Sequence, residues 1–366
     1  MNHPNRPHVR PAISTWLAEI SKTGYEHASF NEAVVAESLG RGEEVTLIAS
    51  PGHVACLTPG AGCHVVHVPV RPLGGRFHSI PKYLLEMVVA TRCLWRARRE
   101  QASLTFLSVA PSTLLFLAFA ARAGVSFSTF VHNELEILAV PAKAARHRMR
   151  NRMLHLAFRL MQNTRAHLRC LTVGGTEFLR NNHPGLDINH ESLPLNPHAA
   201  RFLRARDAPS HPLVFCLVGT LGDEAINANI RELCGSLTGS SADTRVRLDV
   251  VGGRGLHNST RECLARTPHV DCRFVAAAAQ TDYFAALAAC DVVLFLSSPD
   301  LYSVSASSVI IDAVSLQLEV FSLPCRYAEE VAVKHPVRRF DSIPALAAEV
   351  VRRAAPTHST SACTVA

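Results

Sequence analysis

The sequence predicts an α/β protein built from two doubly wound parallel-sheet domains, and three stretches carry that reading. The first is Asp291 to Val314, DVVLFLSSPDLYSVSASSVIIDAV. Its apolar run from Val292 to Leu296 has the length and β-branched content of a strand buried on both faces, and apolar spacing resumes at Val309 after a small-residue loop. The second runs from Pro11 to Ser50, where AISTWLAEI, SKTGYEH, a helical pattern over Ala28 to Leu39 and EEVTLIAS read as strand, glycine loop, helix and strand. The third is PLVFCLVGT at 212–220, where the pattern restarts after a segment carrying Pro194 and Pro197. Domains are therefore expected at 1–196 and 197–355, followed by a small, polar and disordered tail at 356–366.

Composition bounds the function. A chain of 366 residues, 48% hydrophobic and 18% charged, fills two packed domains. Its 11 cysteines include no CxxC pair and sit singly in apolar segments, as reduced thiols do in a reducing compartment. The start, MNHPNRPHVRP, has no signal-peptide core, and no run nears the roughly 18 apolar residues of a spanning helix, so a cytoplasmic location is expected. The formal charge of +7 favours an anionic partner. Only 6% of residues are aromatic, and no C2H2 spacing or aromatic-interleaved basic run is present. That argues against nucleic acid and leaves a phosphorylated substrate or a membrane surface.

Within the first half, Gly24 lies between the first strand and first helix, where a missing Cβ lets backbone N–H groups approach a ligand. His64 and His67 bracket HVVHV and point to opposite strand faces, so they predict no metal site. A long helix over His78 to Arg99 gathers Arg92, Arg96, Arg98 and Arg99 at its C-terminal end, where cations complement the dipole. LTFLSVA, LLFLAFAARAG and VSFSTFVHNE add strand, buried helix and strand. His132 falls where that last strand gives out, on the ligand-bearing edge of a parallel sheet, and can exchange a proton near neutral pH. A strand-end histidine bonded to backbone is the other reading. Residues 143–169 carry eight Lys and Arg side chains, interleaved with Met149, Met153, Leu156 and Leu160 at helical spacing. Such a helix either lies on anionic lipid or packs its apolar stripe on the sheet with arginines in water.

The second half gives a helix over Ala225 to Leu237, strands RLDVVGG and DCRFV, helix TDYFAALAAC, strand LEVFSL and helices YAEEVAV and IPALAAEVVRRA. VGGRG is not GxGxxG, so the dinucleotide fingerprint is absent, although Arg254 just past a strand can reach a phosphate. Ser307 and Ser308 precede an apolar helix whose N-terminus suits a diphosphate, and Asp312 lies one turn on, within reach of a ribose. The alternative places Asp312 on a wet helix face.

ACDVVL, the serine-rich loop and SSVIIDAVSLQLEVFSL together resemble the donor-binding segment of GT-B glycosyltransferases, notably glycosyltransferase family 4. GYEHASFNEAVVAESLGRGEEVTLIA resembles the N-terminal unit of the same enzymes, and INHESLPLNPHA their interdomain linker. The resemblance implies a GT-B architecture whose two domains face a cleft. It places Asp312 on the ribose; Thr220, Tyr302, Ser307 and Ser308 with the donor; Gly24, Glu26 and His27 facing the cleft; and His132 on the transferred sugar, while Arg254 joins the donor side by its place past a strand end. The implied activity moves a sugar from a nucleoside diphosphate sugar to a lipid-linked or glycan acceptor, with retention, in a protein peripheral on the inner face of the plasma membrane and bound there through 143–169. The chain departs from the family in three places. Val304 stands where a glutamate is usual, and Thr220 and Ala225 stand where an arginine and a lysine neutralise the diphosphate. Either Arg254 or a cation from elsewhere would then supply the missing charge, or a divalent ion held by Asp223 and Glu224, or the enzyme is weak or inactive. Two rival functions stay open: a UDP-N-acetylglucosamine 2-epimerase-like enzyme and a noncatalytic GT-B-like partner subunit.

Overall fold

The computed structural model describes residues 13–24, 27–70, 79–131, 133–139, 145–203, 213–239, 244–277, 279–297 and 302–355. They divide into two compact units. One takes the described residues of Met1–Leu171 and Thr176–Pro194, the other those of Thr172–Gly175 and Leu195–Ala366.

The first unit holds a seven-stranded parallel sheet of β1 (Ser14–Glu19), β2 (Glu44–Ala49), β3 (His64–His67), β4 (Ser103–Ser108), β5 (Phe127–Val131), β6 (Ala166–Cys170) and β7 (Asp187–His190). Its order is β3-β2-β1-β4-β5-β6-β7. The connecting helices are α1 (Ala28–Gly40), α2 (Pro51–Val54), α3 (Ser79–Arg99), α4 (Pro111–Arg122), α5 (Asn133–Ala139), α6 (Ala145–Met161) and α7 (Val173–Asn182). The central strands are apolar on both faces because helices cover both. Trp16, Leu17, Phe106 and Leu107 are all at most 3% exposed, and each such side chain contributes about 1.5–3 kcal/mol by leaving water.

The second unit repeats the scheme with six parallel strands: β8 (Val214–Thr220), β9 (Val246–Arg254), β10 (Val270–Val275), β11 (Val292–Phe295), β12 (Glu319–Ser322) and β13 (Val337–Arg339). Their order is β10-β9-β8-β11-β12-β13. The helices are α8 (Glu224–Thr238), α9 (Asn258–Arg266), α10 (Gln280–Ala288), α11 (Ser308–Ser315), α12 (Arg326–Ala332) and α13 (Ile343–Ala354). Phe215, Leu248, Leu294 and Phe321 from four strands meet Leu233, Leu346 and Val350 from α8 and α13 in one core. Caps set the helix starts: the Asp223 carboxylate accepts from Ala225 N and Ile226 N, and Ser342 caps α13 ahead of a proline in its first turn.

Each sheet carries a register shift at the carboxyl end of a central strand, between Ala18 and Glu19 in β1 and between Val218 and Thr220 in β8.

The basic helix differs from its expectation. Helix α6 stops at Met161, and Arg169 lies instead in β6, where it pairs with Glu191 and covers the Phe130 ring. The stripe that packs inward is Leu154, Ala157, Phe158 and Met161, each at most 1% exposed, whereas Met149 and Leu156 are 59% and 45% exposed. No described helix is long and apolar enough to cross a membrane.

Candidate functional site

In the second sheet the chain runs outward from β8 in both directions, to β9 on one side and β11 on the other. The crevice outside the carboxyl ends of two such strands is where doubly wound sheets take ligands. β8 enters it through Gly219 at φ 94, and a Cβ built there would lie 2.8 Å from Val309 Cγ2, so only glycine fits against the first turn of α11. Thr220 pairs with Arg254 at the end of β9, which brings together two residues expected near the diphosphate; their side chains lie outside the described residues. Asn227, fully buried, ties the edge together: its Nδ2 donates to Leu221 O at 2.6 Å and Asp223 O at 2.9 Å, and its Oδ1 accepts from His257 N at 3.1 Å. Nothing in the spacing marks this role, since an asparagine inside a helical pattern reads as surface.

Ser307 is the N-cap of α11, yet its side chain makes no capping bond. Its Oγ is buried without a hydrogen-bond partner, as is that of Ser297 at the end of β11, and both residues are 2% exposed. Ser308 is exposed at the first helical position. First-turn N–H groups have no partner within a helix, so this end offers donors and a positive dipole end to an anion.

Asp312 is not on a wet face: it is 4% exposed and accepts from the Tyr283 hydroxyl at 3.2 Å. Burial, reinforced by the Asp312 charge, raises the Tyr283 pKa well above its usual value and keeps it a donor. Tyr302 adopts φ 59 and rests its ring 5.4 Å from that of Phe295. Val304 is 6% exposed and its carbonyl accepts from Thr172 Oγ1 at 2.9 Å, so the position where the family carries glutamate points into packing. The acidic pair is committed elsewhere. Asp223 caps α8, while Glu224 meets Arg231 at 2.8 Å and His257 at 3.3 Å. Among the described residues no three His, Cys, Asp or Glu side chains gather as metal ligands.

The first sheet reverses direction between β1 and β4, and a buried polar cluster lies there. Glu19, fully buried at the end of β1, accepts from Ser21 N at 3.1 Å, Lys22 N at 3.0 Å, Asn31 Nδ2 at 3.2 Å and the Ser108 hydroxyl. Burial pushes its carboxyl pKa up, and the Ser108 hydrogen bond opposes that rise. His27, the N-cap of α1 at φ 66, places Nδ1 3.9 Å from Glu19 Oε2. Gly24 at φ 63 presents its carbonyl to His53 Nδ1 at 2.7 Å. From α3, Lys82 donates to Ser21 O at 2.9 Å and Glu86 accepts from Ala110 N at 2.7 Å. Burial raises the Glu86 pKa to about 7. The structure thus sets Gly24 and His27 beside one buried carboxylate; Glu26 and His132 lie outside the described residues.

The fold is shared with solved glycosyltransferases of GT-B architecture. A sucrose-phosphate synthase from Thermosynechococcus elongatus is similar over 93% of this chain and 89% of its own, at TM-score 0.63 and 13% identity. Anabaena HepE in complex with UDP and glucose is similar over 92% and 89%, at TM-score 0.60 and 15% identity. A glycosyltransferase from Rickettsia africae is similar over 93% and 88%, at TM-score 0.57 and 11% identity. No family model matches the chain, and no curated protein matches it by sequence. The chain has the GT-B fold, with a seven-stranded and a six-stranded parallel sheet in its two units.

Proposed function

We propose that the protein is a glycosyltransferase that takes a nucleoside diphosphate sugar at the carboxyl edge of the second sheet and passes the sugar to a lipid-linked or glycan acceptor held by the first unit. The observation that carries this reading is the start of α11: a buried Ser307 hydroxyl without a partner, beside the glycine end of β8, at the reversal point of the sheet. A polar atom buried without a partner costs about 1–3 kcal/mol, and a diphosphate oxygen would satisfy it. The complex of HepE with UDP and glucose, on the same fold, supports a nucleotide sugar as the ligand class.

In this reading the α11 N–H groups and Ser307 bind the diphosphate and stabilise the charge that develops as the sugar departs. Arg254, paired with Thr220 across β8 and β9, supplies the cation that this chain lacks after β8. His132 orients the sugar, and in a retaining reaction the leaving phosphate takes the acceptor proton. A lipid-linked acceptor fits the outward face of α6, where Met149 and Leu156 are exposed among Arg148, Arg152 and Arg159.

Val304 favours a second reading, that of a noncatalytic partner subunit, because it is buried where the family has an acid. Turnover separates the two. The full chain is incubated with UDP-, GDP-, ADP- and TDP-sugars, each with and without a lipid-linked glycan extract, and products are read by mass. Acceptor-dependent gain of one sugar supports transfer; nucleotide binding without any product supports the partner subunit.

A further inference from the structure

We infer that His53 is a positioning residue: it never touches a ligand, and it holds the Gly24 loop in place through a hydrogen-bond chain whose direction is fixed by the buried carboxylate of Glu19. This deepens the proposed function, because it rests on the reading that the Gly24 loop meets the substrates.

A Cβ built on Gly24 would meet nothing within 4 Å, so the space beside it is open. The held atoms are polar. Glu19 takes the Ser21 and Lys22 N–H groups, Lys82 donates to the Ser21 carbonyl, and His53 meets the Gly24 carbonyl at 2.7 Å. His53 itself is fully buried on α2, a four-residue helix capped by Ser50, whose Oγ accepts from His53 N at 3.2 Å.

With Glu19 ionised, one proton arrangement gives every donor of the chain an acceptor, and it leaves Asn31 Oδ1 buried without a partner. A carbonyl only accepts, so His53 Nδ1 must carry the hydrogen toward Gly24. His53 Nε2 lies 2.7 Å from Asn31 Nδ2, and Asn31 Nδ2 also lies 3.2 Å from Glu19 Oε2. With its nitrogen on that side, Asn31 spends one hydrogen on the imidazole and one on the carboxylate, and both partners accept. Turning the amide over would aim its oxygen at the Glu19 carboxylate, two acceptors facing each other in a site without water exposure. Glu19 therefore orients Asn31, Asn31 fixes the Nδ1–H tautomer of His53, and His53 holds Gly24. The same carboxyl lies 3.9 Å from His27 Nδ1 at the N-cap of α1.

The test exploits the difference between the two imidazole nitrogens. An asparagine amide nitrogen occupies roughly the place of Nδ1, a glutamine amide nitrogen that of Nε2. His53→Asn keeps the donor to Gly24 and is expected to retain transfer within about threefold, whereas His53→Gln is expected to lower kcat by at least about 10-fold with donor KM within about threefold, since small misplacements near a reacting centre cost up to about 100-fold. Tryptic cleavage after Lys22 reads the loop without any activity: it should quicken in His53→Gln and stay near wild type in His53→Asn. Nitrogen NMR of the wild-type chain, with the His53 signal assigned by its loss in the variants, should show Nδ1 protonated. Equal behaviour of the two variants, or an Nε2-protonated His53, overturns the inference. If wild type transfers no sugar, the proposed function fails while proteolysis and the tautomer still decide the role of His53.

Discussion

The pairing of Asp312 with Tyr283 leads to a stability effect that a ribose-binding carboxylate on an open edge would not show. Asp312 is 4% exposed, and Tyr283 donates to it at 3.2 Å from α10, the neighbouring helix in sequence. Asp312→Ala removes the acceptor and leaves a phenol in surroundings that burial has made apolar; one buried donor without its partner costs about 1–3 kcal/mol. Tyr283→Phe removes the donor instead and leaves a charged acceptor short of one bond, a loss of about 1.5–3 kcal/mol for a hydrogen bond to a charged group. Removing both partners leaves neither stranded, so the double variant should be more stable than the sum of the single losses by about 0.5–2 kcal/mol. Thermal melts of the full chain and its three variants measure this, because about 1 kcal/mol moves the midpoint of a domain of this size by about 2–4 °C. Asp312→Ala is expected to lower the midpoint of the second unit by about 2–12 °C, and the double variant to recover part of that. An Asp312→Ala midpoint within about 1 °C of wild type, or strict additivity in the double variant, would refute the reasoning.

Three further outcomes follow from other parts of the molecule. His183 is buried against His155, with Nε2 3.0 Å from the His155 Nδ1, and burial holds its pKa down at about 4 against an ordinary 6.5. Its contribution is therefore complete above about pH 6.5 and lost as pH falls toward 4; melting followed from pH 7 to 4 should lose part of its slope in His183→Leu. Asn227→Leu strips donors from two carbonyls and an acceptor from one N–H in the loops beside β8 and β9, and should cost about 2–4 kcal/mol in chemical denaturation and weaken nucleotide binding with it. Binding to anionic vesicles at low salt should weaken as salt rises and disappear when Arg148, Arg152 and Arg159 become Glu, because screening acts over about 8–10 Å; sedimentation with vesicles of phosphatidylserine and phosphatidylcholine reads it, and indifference to anionic lipid at low salt would remove the surface role of α6.

The α/β character was legible wherever a strand is buried on both faces, because a continuous apolar run such as Val292 to Leu296 has no other use at that length. Helix α1 was legible almost to the residue, expected over Ala28 to Leu39 and found at Ala28–Gly40. Strand β13 was not, since Val337–Arg339 is a short edge strand carrying two arginines. The buried face of α6 was not legible, because Met149 and Leu156 follow a helical period as well as Leu154 and Phe158 do, and sequence spacing alone does not say which stripe the sheet covers. At the sites, glycines and helix starts were visible as local signals. The buried partners were not: Glu19 gathers donors from the turn after β1, from α1 and from the end of β4, and Tyr283 reaches Asp312 across 29 positions. Such groups look like ordinary polar residues until the fold brings them together.

The most direct test of a diphosphate site at the start of α11 is binding of UDP, GDP, ADP and TDP to wild type and to Ser308→Asp. Ser308 is exposed at the first position of the helix, where an aspartate suits the dipole and should leave the free protein as stable as before or up to about 1 kcal/mol more so. One nucleotide should stabilise wild type by about 2.7 kcal/mol at a hundredfold excess over Kd, and the same nucleotide should fail to stabilise Ser308→Asp, whose new carboxylate faces the phosphates. No stabilisation of wild type by any of the four, or undiminished binding by Ser308→Asp, would contradict a donor site there.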